Sequence, residues 1–212
     1  GIDAPLEEPA NPAKTPNPSK APWYFLGLQE LLVYFDPWIA GVILPSIIIV
    51  GLMAIPYIDF NEKGNGYYTY KERKFAILTF CFGFLILWIV LIISGTFLRG
   101  PGWNWFAPWA AWDPHKVVAL VNVDFHELFG IRDYWTASAF GGIIVMGYFA
   151  VGTIVPMVWL QKSKPELWKK MGIVRYITIS QLYLMMIGVV IKMILRVALN
   201  IKYVWITPWF NV

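Results

Sequence analysis

The 212-residue sequence has one cysteine, Cys81, and two histidines, His115 and His126. A single cysteine excludes an intrachain disulfide framework, and no zinc, iron-sulfur or Cys-x-x-Cys-His haem-attachment spacing is present. Two histidines cannot supply the axial ligands of two bis-histidine membrane haems, and no metal site of this chain's own is expected. Charge is also scarce, at 14% of residues against roughly 25% in an average soluble domain. The net charge of +4, from 17 Lys and Arg against 13 Asp and Glu, gathers into no basic stripe, so nucleic acid is not an expected partner. Apolar residues make up 58% and aromatics 17%, with a mean hydropathy of +0.57. These proportions exclude an ordinary soluble enzyme and describe a chain suited to a hydrocarbon solvent.

Four apolar runs approach or exceed the roughly 18–20 residues that cross a bilayer: Pro37 to Ile58, Phe75 to Phe97, Trp135 to Leu160 and Tyr176 to Leu199. Each should be helical, because lipid offers no partner to a strand's unpaired backbone groups. The expected fold is therefore an all-α integral membrane protein with four transmembrane helices, a proline-rich N-terminal segment and an aromatic loop. Pro45 should kink the first span. Gly141, Gly142, Gly147 and Gly152 should let a neighbouring helix approach the third. Cys81 reads as a small packing residue in the second span.

Positive charge sets the orientation. Lys63, Lys71, Arg73 and Lys74 follow the first span, and Lys162, Lys164, Lys169, Lys170 and Arg175 follow the third. Those connections should face the cytoplasmic, negative side. The long loop between the second and third spans carries only Arg99, Lys116 and Arg132, and the N-terminal segment only Lys14 and Lys20. Both termini and the long loop should thus lie on the positive, periplasmic side, with the bacterial cytoplasmic membrane as the expected location. Lys192 and Arg196, in the fourth span, should snorkel to the interface. The sequence opens without an initiator Met or an apolar signal region, so residue 1 is not expected to be the biological start.

Six prolines in the first 22 residues (Pro5, Pro9, Pro12, Pro16, Pro18 and Pro22) make a stiff, extended lead. It delivers the aromatic cluster Trp23, Tyr24 and Phe25 and a short amphipathic segment to the membrane surface. In residues 98–134, Trp103, Trp105, Trp109 and Trp112 suit the headgroup level or a docking surface for a partner protein. His115 and His126 share that loop with Asp113, Asp124, Glu127 and Asp133, which read as surface residues rather than as metal ligands. Asp36, before Pro37, reads as a helix N-cap.

The order of these residues resembles the C-terminal half of cytochrome b in quinol-oxidising cytochrome bc complexes, the part called subunit four in photosynthetic versions. That family has a Pro-Glu-Trp-Tyr motif after a proline-rich segment that begins Asn/Asp-Pro, then a transmembrane helix about a dozen residues on. Here Asn11-Pro12 opens the lead, Trp23-Tyr24-Phe25 match the residues after the family Glu, and Ile55-Pro56-Tyr57-Ile58-Asp59-Phe60-Asn61 resembles the family's Val-Pro-Phe-Leu-Glu-Asn. The resemblance covers residues 1–97. One departure stands out: the family Glu is replaced by Pro22, so the motif reads Ala21-Pro22-Trp23-Tyr24. The nearest replacement is Glu30, which reads either as a carboxylate set against Trp23, Tyr24 and Phe25 and desolvated enough to accept and relay a proton, or as a residue of the wet interface.

The resemblance implies a wall of a positive-side quinol site, with Tyr24 and Glu30 as catalytic groups and Trp23, Tyr24, Phe25 and Leu28 lining the quinol pocket. It implies partners as well: a haem-bearing cytochrome b N-terminal half holding two b haems, a Rieske protein holding an iron-sulfur cluster, a cytochrome c, membrane lipid and a dimeric complex. Four regions are expected: 1–35, the lead and quinol-site wall; 36–97, the family-like helix pair; 98–134, the Trp-rich loop; and 135–212, two further helices. A non-catalytic anchor or assembly subunit with a degenerate motif is the alternative. A transporter is disfavoured, because the spans carry almost no polar residues along a plausible midplane pathway.

Overall fold

The structure is a computed structural model that describes residues 9–63, 69–116, 118 and 121–212. Gly1–Glu8, including Pro5 of the lead, lie outside the described residues. Four helices are long and apolar enough to cross a membrane: Ile39–Ile58, Lys74–Leu98, Tyr134–Ser163 and Pro165–Leu199. They are the first to fourth spans, and the chain is an integral membrane protein. A shorter surface helix, Trp23–Leu31, precedes them. Among the described residues no strand forms, and only isolated bridges occur outside the helices.

Local chemistry explains some helix boundaries. Pro22 precedes the surface helix with φ −52°, already shaped for a helix entry and lacking the N–H that would otherwise be unmet. The first span is wound more widely over Ile39–Ile43, just before Pro45. The second span is wound in the same way over Cys81–Trp88 and Ser94–Leu98, where no proline lies, so the wide winding is not particular to Pro45. Asp133 caps the third span by accepting the Thr136 N–H at 2.9 Å and its hydroxyl at 2.7 Å. Those bonds hold the Asp133 carboxyl below the usual carboxylate range.

The connection between the third and fourth spans differs from expectation. In place of a loop to Tyr176, helix resumes at Pro165 and breaks once, at Gly172, whose φ of 72° an L side chain rarely adopts.

Packing centres on the fourth span. It meets the third where Leu184 covers Gly152, with Tyr148 Oη donating to the Leu184 carbonyl at 2.7 Å. Nearer the opposite end, Thr153 accepts from Gln181 Nε2 at 2.8 Å and its carbonyl from Tyr176 Oη at 2.7 Å, satisfying polar groups inside the span pair. Met186 reaches Gly83 of the second span. Only part of the glycine reading holds. Gly152 seats a helix, Gly141 and Gly142 seat Val204 and Trp205 of the C-terminal tail, and Gly147 faces open space.

That tail folds back over one end of the bundle. Lys202 N–H donates to Val123 O at 2.9 Å, and Phe125 N–H to Tyr203 O at 2.8 Å. Lys192 does not snorkel: it is 4% exposed beneath the tail and donates to the Lys202 carbonyl at 2.6 Å. The principal core lies at this same loop end, where Leu31, Tyr34, Phe35, Ile39, Ala40 and Leu91 pack with Val189, Met193, Phe210 and Val212.

Candidate functional site

Helical spacing divides the surface helix into two faces. Leu26, Gly27, Glu30 and Leu31 turn inward, while Trp23, Tyr24 and Phe25 stay 69%, 50% and 54% exposed and Leu28 is half-buried. The exposed rings form a continuous patch. Trp23 and Tyr24 meet edge to face at 5.7 Å between centroids, and Tyr24 and Phe25 pack tilted at 4.7 Å. The structure thus brings Trp23, Tyr24 and Phe25 together as the sequence predicts.

Glu30 does not join them. Its side chain has no solvent exposure and points into the opposite face, toward the end of the second span. Arg99 reaches it with Nη2 to Oε1 at 2.8 Å and Nε to Oε2 at 3.0 Å, a two-pronged ion pair. Trp103 Nε1 donates to Oε2 at 3.2 Å, and Tyr34 Oη to Oε1 at 3.0 Å. The expectation that Glu30 stands against the aromatic cluster is therefore corrected. Position 30 lies on the inner stripe with 26 and 27, whereas 24 and 25 lie on the outer one and Leu28 packs against the core, and a largely buried cation is present inside to receive the charge. Burial and the neighbouring Glu30 carboxylate push the Tyr34 hydroxyl up to about 12, so it remains a donor throughout the physiological range.

Sequence reasoning missed Arg99 and Trp103 as partners of this carboxylate. From sequence, Arg99 counts only toward the sparse positive charge of the loop, and Trp103 suits the headgroup level or a docking surface. The available signal was the isolation of Glu30 in an apolar helix and of Arg99 just beyond a span, on the same expected side of the membrane.

Two small residues let the inner face approach. A Cβ on Gly95 would lie 2.9 Å from Leu26 Cγ, and one on Gly27 would lie 3.4 Å from the Trp88 ring. The N-terminal lead is strapped to the same region. Lys20 Nζ donates to Thr96 O at 2.7 Å and stands 4.5 Å over the Trp112 ring, while Asn17 Oδ1 accepts from Gly102 N–H at 2.8 Å. Asp36 caps its turn as expected, accepting from Trp38 N–H at 3.0 Å.

Of the remaining candidate ligands, Asp124 and Glu127 serve local structure, while His126 Nδ1 is buried without a hydrogen-bond partner. Asp124, His126 and Glu127 place one ligand atom each within 4.8 Å of one another. Both carboxylates, however, serve a reciprocal capping box, with Asp124 N–H donating to Glu127 Oε2 at 3.0 Å. Burial and then the Glu127 charge raise the Asp124 carboxyl above its usual range. His115 is exposed in the same loop, and neither histidine lies in a span, so no histidine pair of this chain can clasp a haem between helices.

Residues 9–110 match the family model described as cytochrome b (C-terminal)/b6/petD. The match takes in the lead, the surface helix, the first two spans and the loop through Arg99, Trp103 and Trp109, beyond the residue-97 limit of the resemblance read from sequence. No solved structure matches the chain.

Proposed function

We propose, from the match of residues 9–110 to the cytochrome b (C-terminal)/b6/petD family model, that the chain is a membrane subunit of a cytochrome bc type quinol:cytochrome c oxidoreductase. It contributes one wall of the quinol-oxidising site. The observation that carries this reading is the outer face of the surface helix: an aromatic patch left exposed on a helix whose other face is tightly held. A patch of that kind suits a flat quinol ring held between two chains, with one polar handle to orient it. Tyr24 supplies the hydroxyl, Trp23 and Phe25 the packing surfaces, and Leu28 the floor.

In this reading the loop end faces the positive side, since the span connections rich in Lys and Arg lie at the opposite end. The b haems and the iron-sulfur cluster that receive the two electrons belong to partner chains: a haem-bearing cytochrome b N-terminal half and a Rieske protein that passes its electron to a cytochrome c. This chain's own residues bind and orient the quinol and exclude water from one side of it. Glu30 stands one layer behind the wall, and a relay through it would require Arg99, Trp103 and Tyr34 to release the carboxylate.

Replacing Tyr24 with Phe or Trp23 with Ala in the assembled complex should slow quinol oxidation by about tenfold or more, on the scale of a lost orienting contact, with the b-haem spectrum unchanged. Wild-type turnover in both variants would remove the quinol-wall reading and leave a non-catalytic anchor subunit in its place.

A further inference from the structure

We propose that Glu30 and Arg99 form a buried strut that fixes the aromatic face of the surface helix in its working orientation, which makes both positioning residues for quinol oxidation. The inference rests on the quinol-wall reading and adds what holds the wall still.

The strut's geometry is over-determined on both sides. Nearly every face of the Arg99 guanidinium is occupied. Two nitrogens lie on the Glu30 carboxylate, Nη1 donates to Trp103 O at 3.2 Å, and the Trp105 ring lies 5.6 Å from Cζ. The loop that carries it is closed by Phe106 N–H to Leu98 O at 2.9 Å and by Gly100 N–H to Asn104 O at 3.0 Å. Trp103 has a φ of 57°, a left-handed conformation that costs a non-glycine residue free energy and persists where surrounding contacts enforce it. In that conformation its indole N–H reaches Glu30.

The strut matters to the outer face because it ties the surface helix directionally to the end of the second span, whereas Gln29 ties it to its own lead, accepting from Ala21 N–H and donating to Ser19 O at 2.8 Å each. The helix is nine residues long, and its other inward residues, Leu26, Gly27 and Leu31, make apolar contacts that tolerate sliding. A two-pronged arginine-carboxylate pair is directional. With Lys20 and Asn17 anchoring the lead just before the helix, Glu30 fixes it near its far end, and Tyr24 and Phe25 are carried between the two anchors. A carboxylate engaged by Arg99, Trp103 and Tyr34 serves this role while those bonds persist.

The test compares Arg99→Lys, Glu30→Asp and Glu30→Gln with Tyr24→Phe in the assembled, purified complex. It follows quinol oxidation against pH and hydrogen exchange of residues 23–31. Lysine cannot make the two-pronged contact, and aspartate falls one methylene short. Both should raise exchange in 23–31 while the spans keep theirs, and should lower kcat roughly 10- to 100-fold, the scale of an ångström-level misplacement. Glu30→Gln should leave the midpoint of the pH-rate profile where it is in the wild type. Unchanged exchange in Arg99→Lys and Glu30→Asp overturns the strut. So does raised exchange with wild-type turnover, provided that Tyr24→Phe is slow, because the wall would then work without being fixed. A shifted pH midpoint in Glu30→Gln with normal exchange makes Glu30 the proton acceptor instead. If Tyr24→Phe turns over at the wild-type rate, the quinol-wall reading fails, whatever the exchange shows. Should Arg99→Lys not assemble, Glu30→Asp, which keeps the charge, carries the comparison.

Discussion

Among the described residues two arginine-carboxylate pairs brace the first half of the molecule, one at each end of its helices, and they differ in almost everything except chemistry. At the loop end Glu30 and Arg99 meet with side-chain exposures of 0% and 12%, joining the surface helix to the end of the second span. At the opposite end Asp59 and Arg73 meet between the exit of the first span and the entry of the second, with exposures of 37% and 27%. The buried pair has given up its hydration and depends on its partners. The exposed pair keeps water and salt as alternatives. Identical functional groups therefore form a strut in one place and a weak tether in the other, and burial decides which.

Removing one member of the buried pair should have the largest effect. Glu30→Ala or Arg99→Ala leaves an uncompensated charge in a sealed site and should destabilise the loop end by about 3–5 kcal/mol. The measurement is the thermal midpoint and yield of the detergent-solubilised protein. A loss no larger than that for an Asp59 variant would erase the contrast between the two pairs. The next effect sharpens the same contrast by altering the fit beneath the strut without touching its charges. Gly95→Val would place a Cβ 2.9 Å from Leu26 Cγ and push the surface helix away from the second span. It should cost about 1–3 kcal/mol, the range for overpacking, and a midpoint equal to wild type would show that the helix does not rest there.

The spans were legible because the bilayer imposes a length and a composition that few other environments require. The aromatic patch was legible as well, since Trp23, Tyr24 and Phe25 are adjacent in sequence and the first turn of a short helix cannot bury all three. The strut was not, because it joins positions 30 and 99, and periodicity reports nothing about a partner so far along the chain. Trp103 was misplaced for a related reason. A tryptophan in a polar loop beside a membrane is ordinarily a headgroup anchor, and only the left-handed turn at 102 and 103 brings its indole inward. Lys192 was read by its position on a helix, without the C-terminal tail that returns to cover it. In each case the missing term was a long-range contact that replaces water with a specific partner.

The smallest effect belongs to the exposed pair, and its sign follows from its surroundings. The Arg73 hydrogen bond, 2.6 Å from Nη1 to Oδ2, is the main cause holding the Asp59 carboxyl below the usual range, helped by the Asn61 backbone N–H and opposed by slight burial. The folded form thus binds a proton more weakly than the unfolded chain does. The contribution of Asp59 is present above the ordinary aspartate value near pH 4 and is lost as pH falls through the lower folded value. After screening at such an exposed site it amounts to less than about 1 kcal/mol. Asp59→Asn should therefore lower the thermal midpoint slightly at neutral pH. The difference from wild type should shrink in moderate salt and vanish once the medium is acid enough to protonate Asp59 in the folded protein. A difference that persists in acid would mean that Asp59 acts there through the shape of its turn, where it accepts from Asn61 N–H at 3.0 Å, and not through its charge.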